Sequence, residues 1–269
     1  MFDFFYDTAD LDYIKNNWAQ LSTIVDPKHV RGVTTNPNAF KKVNKLALAE
    51  WVDHLPRVCQ LVTDIRGDND GVVYVQAPSS EMTAAQVLEW AKFIHTFHDG
   101  NTRLGLKIPP FHPILEIVDQ LTNYMEVNVT GVADCSTALS CFTYNVRYVS
   151  LIPGRMEEKG LDASAHVAFA QRRKADGAEI IAGSMRTIDG LERVVSLGTV
   201  PTVGTRVWDL VMESGPEQLL GFNQQELPRD KFSPFVNEVN RELSVSFFEQ
   251  MDECGKDAHR DFLNPLGSV

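Results

Sequence analysis

Residues 103–110 read Arg-Leu-Gly-Leu-Lys-Ile-Pro-Pro. Leu104–Ile108 is a short apolar run of the kind that forms a strand buried on both faces. Pro109 and Pro110 stop it. Lys107 interrupts it one residue before its end. An unpaired ammonium is costly to bury there. Burial also lowers a lysine's pKa and frees the amine as a nucleophile, so a lysine at a strand's end is raw material for a Schiff base. From this run alone, a core salt bridge or a side chain snorkelling to the surface explains Lys107 equally well. The rest of the chain decides between these readings.

On both sides of this strand the chain alternates short strands with helical stretches. Before it come strands at Phe2–Tyr6, Val30–Thr34 and Val72–Val75. A helix starts near Asp10, a helical run carries Leu46, Leu48 and Trp51, and a third helix spans Thr83–Phe97 with Val87, Leu88, Ala91 and Ile94 on one face. After it come strands at Glu126–Thr130, Arg147–Ile152, Glu179–Ala182 and Thr199–Val203. Helices are expected at Pro113–Leu121, Ser136–Thr143, Asp162–Lys174, Ile188–Ser196 and Thr205–Met212. Eight strand–helix units without sequence repetition predict a (β/α)₈ barrel, the TIM-barrel class, over residues 1–212. An open doubly wound sheet is the alternative, but no Gly-x-Gly-x-x-Gly follows the first strand.

Residues 213–269 lie beyond the barrel count. The first part, to Pro234, is rich in Gln, Pro and Gly and reads as a connector. Phe235, Val239, Leu243, Phe247 and Met251 then recur every fourth residue, the apolar face of an additional C-terminal helix. That face is expected to cross one end of the barrel or to meet a neighbouring subunit. The tail from Asn264 is expected to fray.

Composition narrows the function. The chain has 269 residues, of which 43% are hydrophobic and 23% charged, so it can bury a large core and is not a disordered type. Its net charge is −11 and it has no basic stretch with interleaved aromatics, which argues against nucleic acid as a partner. No apolar run is long enough to span a membrane. Cys59, Cys135, Cys141 and Cys254 form no Cys-x-x-Cys pair and read as reduced thiols in a cytoplasmic protein. His95 and His98 beside Asp99 have metal-like spacing, but a solvated helix C-terminus explains them better.

Barrels of this class carry their sites at the C-terminal ends of the strands. The polar residues there are Asp7, Asn36, Gln76, Lys107, Thr130, Arg155 and Ser184, with Asn128 and Ser150 two residues before the ends of their strands. Each has a plain structural reading. Asp7 and Ser184 suit helix caps, Asn36 suits a turn before Pro37, and Arg155 suits a solvated loop. Together they place a carboxylate, amides, hydroxyls, a buried lysine and arginines at one mouth. That combination suits a small polyhydroxylated, phosphorylated substrate.

Three motifs then point to a family. Phe5-Tyr6-Asp7-Thr8-Ala9-Asp10, Gly32-Val33-Thr34-Thr35-Asn36-Pro37-Asn38 and Leu106-Lys107-Ile108-Pro109 together resemble the transaldolases and the smaller fructose-6-phosphate aldolases of the same superfamily. Asn128-Val129-Thr130, Gly154-Arg155 and Ala182-Gly183-Ser184-Met185-Arg186 continue the resemblance in order, over roughly residues 2 to 210. The resemblance implies class I aldol chemistry on sugar phosphates, with no metal and no cofactor. Lys107 would form the imine, and Asp7 would take the proton from the C4 hydroxyl as the C3–C4 bond breaks. Thr130 and Gln76 would hold a proton-shuttling water. Asn36, Asn128 and Ser150 would bind hydroxyls of the donor, and Arg155, Ser184 and Arg186 its phosphate. A homo-oligomer is implied, with the last helix as a candidate subunit contact.

Two positions depart from the larger transaldolases. Gln76 stands where they carry glutamate, so it can orient but cannot act as a base. Ile152 stands where the family has an aromatic that bears on transfer versus simple cleavage. The resemblance therefore implies a transaldolase, with a fructose-6-phosphate aldolase as the alternative. A deoxyribose-phosphate type aldolase would need a second lysine near the first, and no strand end offers one. A non-catalytic sugar-phosphate binding protein would have no use for a buried amine.

Overall fold

The computed structural model describes residues 1–97, 102–225, 227 and 238–264. In chain order, β1 (Phe4–Asp7) leads to α1 (Leu11–Leu21), and β2 (Val30–Thr34) to α2 (Pro37–Lys42) and α3 (Leu48–Arg66). Next come β3 (Val72–Gln76), α4 (Ala84–His95), β4 (Arg103–Ile108) and two four-residue helices, α5 (His112–Leu115) and α6 (Val118–Leu121). Then follow β5 (Glu126–Val132), α7 (Cys135–Cys141), β6 (Tyr148–Leu151), α8 (Pro153–Glu158) and α9 (Ala163–Arg173). The barrel ends with β7 (Glu179–Ala182), α10 (Ile188–Ser196), β8 (Val200–Gly204) and α11 (Thr205–Ser214). Beyond it lie a 3₁₀ turn at Pro216–Gly221 and α12 (Glu238–Leu263).

All neighbouring strands pair in parallel, and β8 returns to β1, closing the barrel in sequence order. The expected (β/α)₈ barrel with an added C-terminal helix is therefore the fold observed. Side chains alternate across each strand. Val73, Val75, Leu106, Val127, Val129 and Val149 point outward and pack with the helices in the main core. Phe5, Tyr74 and Tyr148 come from β1, β3 and β6, which are not neighbours, so they can meet only inside the barrel. Their rings stand edge-on to one another with centroids 5.6 to 5.8 Å apart. Gly105 makes room for this plug, because a Cβ there would lie 2.2 Å from the Tyr74 ring. The plug fills the barrel below Lys107 and gives the site a closed apolar floor.

Several boundaries differ from the sequence reading. The first strand is Phe4–Asp7 where Phe2–Tyr6 was expected. The single helix expected at Pro113–Leu121 is interrupted at Ile117, whose ψ of 7° leaves the helical range. Helices α2 and α8 have no counterpart in the sequence reading. Each is six residues long and begins on a proline right after a strand, too short to display apolar periodicity. Phe235, His98 and Asp99 lie outside the described residues, as does the tail beyond Asn264.

Helix α12 lies across the C-terminal ends of the strands. Asn240 Nδ2 donates to the Ala133 carbonyl at 2.7 Å, and Ser244 Oγ to the Gly131 carbonyl at 2.9 Å, both after or at the end of β5. Asp252 accepts from the backbone and hydroxyl of Ser80 in the loop after β3, each at 2.6 Å. Gly255 lets the helix approach that loop closely, because a Cβ would sit 2.0 Å from the Pro78 carbonyl oxygen. Leu243, Phe247, Phe248 and Met251 pack on Ala133, Ile152, Met156 and Ala163. Of the two expected placements, the helix takes the one across its own barrel. No described helix is long and apolar enough to cross a membrane.

Candidate active site

Gln76, Lys107 and Asn128 are register partners on three adjacent strands. Register partners share a face, so all three point into the barrel above the aromatic plug. Lys107 is only 5% exposed. Among the described residues its amine has no hydrogen bond or ion pair. Burial lowers its pKa, and the Asp7 carboxylate opposes this more weakly. The core salt bridge considered above is therefore not what holds Lys107. Desolvation favours the neutral amine a nucleophile needs.

The two flanking amides carry unmet hydrogen-bonding capacity. Ser150 Oγ donates to Asn128 Oδ1 at 2.8 Å, which leaves Asn128 Nδ2 buried with no partner among the described residues. Gln76 Oε1 is buried in the same condition. Buried polar atoms are nearly always satisfied, so a donor and an acceptor on either side of Lys107 suit a polar ligand there.

Asp7 ends β1 and faces the same interior. It accepts from Thr34 Oγ1 at 3.2 Å and from Asn36 Nδ2 at 3.3 Å. Asn36 also caps α2, its Oδ1 accepting from the Ala39 amide at 2.9 Å. The capping reading and the site reading of Asn36 are thus compatible, since one side chain does both.

The cationic end is built by the loops after β6 and β7. Arg155 lies on α8, where a solvated loop was the plain expectation, and it is half-buried. Ser184 has a φ of 61°, in the left-handed region that L-residues avoid. Its carbonyl oxygen would lie 1.7 Å from a Cβ at Gly154, so only glycine allows the two loops to meet. This close approach brings Arg155, Ser184 and Arg186 to one wall. Arg155 Nη2 donates to Gln250 Oε1 at 2.6 Å, and its guanidinium lies 5.0 Å from the centre of the Phe247 ring. Arg186 Nε donates to Glu158 at 2.9 Å. Burial, reinforced by the nearby Arg186, lowers the Arg155 pKa, yet arginine keeps its charge at any ordinary pH.

One cavity of about 480 Å³ joins these parts. Asp7, Asn36, Lys107, Thr130, Ser150, Arg155, Ser184 and Arg186 all line it, and Gln76 and Asn128 are buried on the strands either side of Lys107. Its size suits a small-molecule ligand. Residues that sequence reasoning did not place in the site also line it: Phe247, Gln250 and Met251 of α12, Lys42 of α2, Glu158, and Arg206 after β8. The four-residue recurrence of Phe247 and Met251 marked an apolar helix face, but nothing local to the sequence said what that face would cover.

His112 and Cys135, each close after a strand end, lie apart from this cavity. His112 pairs with Glu116 on the surface and does not line the cavity. Cys135 is buried, and burial together with Asp134 raises its thiol pKa, which leaves it inert. All four cysteines are buried and none is in a disulfide. Among the described residues no group of three or more His, Cys, Asp or Glu side chains is placed to hold a metal ion.

Comparison with known proteins agrees with the motifs. The family model described as Transaldolase/Fructose-6-phosphate aldolase matches residues 4–209. Proteins named probable transaldolase from Streptococcus pyogenes serotype M5 (strain Manfredo) and serotype M49 (strain NZ131) are each 30% identical over 200 residues, covering 72% of this chain and 82% of theirs. Among solved structures, orotidine 5'-phosphate decarboxylase from Lactobacillus acidophilus is similar at 11% identity and a TM-score of 0.47, over 75% of this chain and 89% of that one. With the family model spanning most of the barrel, the chain belongs to the transaldolase/fructose-6-phosphate aldolase family.

Proposed function

We propose that the protein is a transaldolase. It moves a dihydroxyacetone unit from fructose 6-phosphate or sedoheptulose 7-phosphate to an aldose phosphate, erythrose 4-phosphate or glyceraldehyde 3-phosphate. That is a step of the pentose phosphate pathway. The observation that carries the reading is Lys107, a buried amine with no described partner, opening into the same cavity as Asp7 and Arg155. Barrel residues 1–212 supply the chemistry, and residues 213–269 form a connector and helical extension. We place the protein in the cytoplasm as a homo-oligomer.

The Lys107 amine attacks the ketose carbonyl at C2 to give a carbinolamine. Loss of water then gives the imine. Asp7 takes the proton of the C4 hydroxyl, and the C3–C4 bonding pair moves into the imine, leaving an enamine on Lys107 and releasing the aldose phosphate. The enamine adds to the acceptor aldehyde, and hydrolysis frees the new ketose and the lysine. Thr130 and Gln76 hold a water that carries protons during imine formation. Asn36, Asn128 and Ser150 bind donor hydroxyls, and Arg155, Ser184 and Arg186 the phosphate.

A second reading, a fructose-6-phosphate aldolase that releases free dihydroxyacetone, draws on Gln76 and on the aliphatic Ile152 in the cavity wall. Product analysis with fructose 6-phosphate separates the two. Glyceraldehyde 3-phosphate is expected to form, along with sedoheptulose 7-phosphate, only when erythrose 4-phosphate is added. Steady release of free dihydroxyacetone without an acceptor would replace this reading by the aldolase one.

A further inference from the structure

The two arginines at the cationic wall are held differently. Arg186 is paired with the carboxylate of Glu158 at 2.9 Å, so its charge is balanced within the cavity. Arg155 is held by a neutral amide, Gln250 Oε1, at 2.6 Å and by the face of Phe247 at 5.0 Å. Both contacts come from α12, outside the span matched to the family, and both residues line the cavity. An amide fixes a guanidinium's direction without cancelling its charge, and an aromatic face does the same for its plane. Arg155 Nε remains buried without a partner among the described residues. Arg155 therefore has no carboxylate bonded to it among the described residues, only the more distant Glu158 and Asp7, and it is the cation of this wall that α12 orients.

We propose that Gln250, supported by Phe247, is a positioning residue for substrate specificity. It holds Arg155 ready for the terminal phosphate and so makes the C-terminal helix part of the substrate site. The inference rests on the sugar-phosphate reading above. Helix α12 is anchored independently at Asn240, Ser244, Asp252 and Gly255, so an exchange at the exposed Gln250 leaves the helix docked.

The test is a binding titration of the full chain with glucitol 6-phosphate, a polyol phosphate with no carbonyl and so unable to form an imine. Borohydride trapping with unphosphorylated dihydroxyacetone runs alongside as a separate readout of Lys107. Gln250→Leu removes the charge-assisted hydrogen bond and is expected to weaken binding about fivefold. Gln250→Glu keeps an acceptor but neutralises Arg155, and is expected to weaken binding further, about tenfold or more. Both variants should trap dihydroxyacetone as the parent does. A purely structural role predicts the reverse order, with the glutamate variant close to the parent. That order, unchanged binding in Gln250→Leu, or no binding by the parent would overturn the proposal. Loss of dihydroxyacetone trapping in the parent would instead count against the imine chemistry.

Discussion

Lys107→Ala is expected to remove turnover, with a loss on the order of 10³-fold or more, because deleting a covalent nucleophile leaves only binding and orientation. The assay is sugar-phosphate transfer by the folded variant. Substantial residual activity would show that the reaction does not pass through this amine. Lys107→Met distinguishes a chemical effect from a structural one, because it fills a similar volume without a charge. A lysine whose folded pKa lies below its unfolded value binds fewer protons when folded. Its penalty is full below the folded pKa and fades as pH rises toward the ordinary lysine range. The methionine variant is therefore expected to be more stable than the parent near neutrality, with the gain shrinking in alkali. Urea melts at the two pH values would check this. An inactive variant that is more stable than its parent would mark a residue kept for chemistry at the expense of packing.

Asp7→Asn is the second large effect expected. Asparagine has the same shape and can still accept from Thr34 through Oδ1, so the strand end should persist. What it loses is the ability to take a proton. Removing a general base typically costs about 10² to 10⁴ in rate. The step affected is C3–C4 cleavage, while imine formation at Lys107 comes before it. Borohydride reduction of the variant with fructose 6-phosphate should therefore trap the whole six-carbon phosphorylated ketose, as read by the mass of the adduct. An adduct of only three carbons, or a rate within about tenfold of the parent, would assign the proton transfer elsewhere.

The barrel was legible because each of its strands is a local signal. A short apolar run ending in a polar residue or proline can be read without knowing its neighbours, and eight such runs alternating with helices leave few topologies. The inward direction of Asn128 and Ser150 followed from strand alternation alone. Three features escaped for physical reasons. The short helices α2 and α8 carry too few residues for a periodic signal, so a turn and a solvated loop stand as the plain sequence readings of Asn36 and Arg155. The meeting of Gly154 with the Ser184 carbonyl depends on two loops some thirty residues apart. Above all, the reach of α12 into the cavity depends on contacts at Gly131, Ala133, Ser80 and Pro78, each more than 100 residues away in sequence. A helix face announces that it will be covered but not by what, which is why Gln250 and Phe247 were not among the expected site residues.

The most direct measurement for the central claim is borohydride trapping of the unaltered chain in the presence of fructose 6-phosphate, followed by peptide mapping. The account predicts a reduced three-carbon dihydroxyacetone adduct on Lys107 and on no other lysine. An adduct on a different lysine, or transfer activity without any trapped adduct, would contradict it.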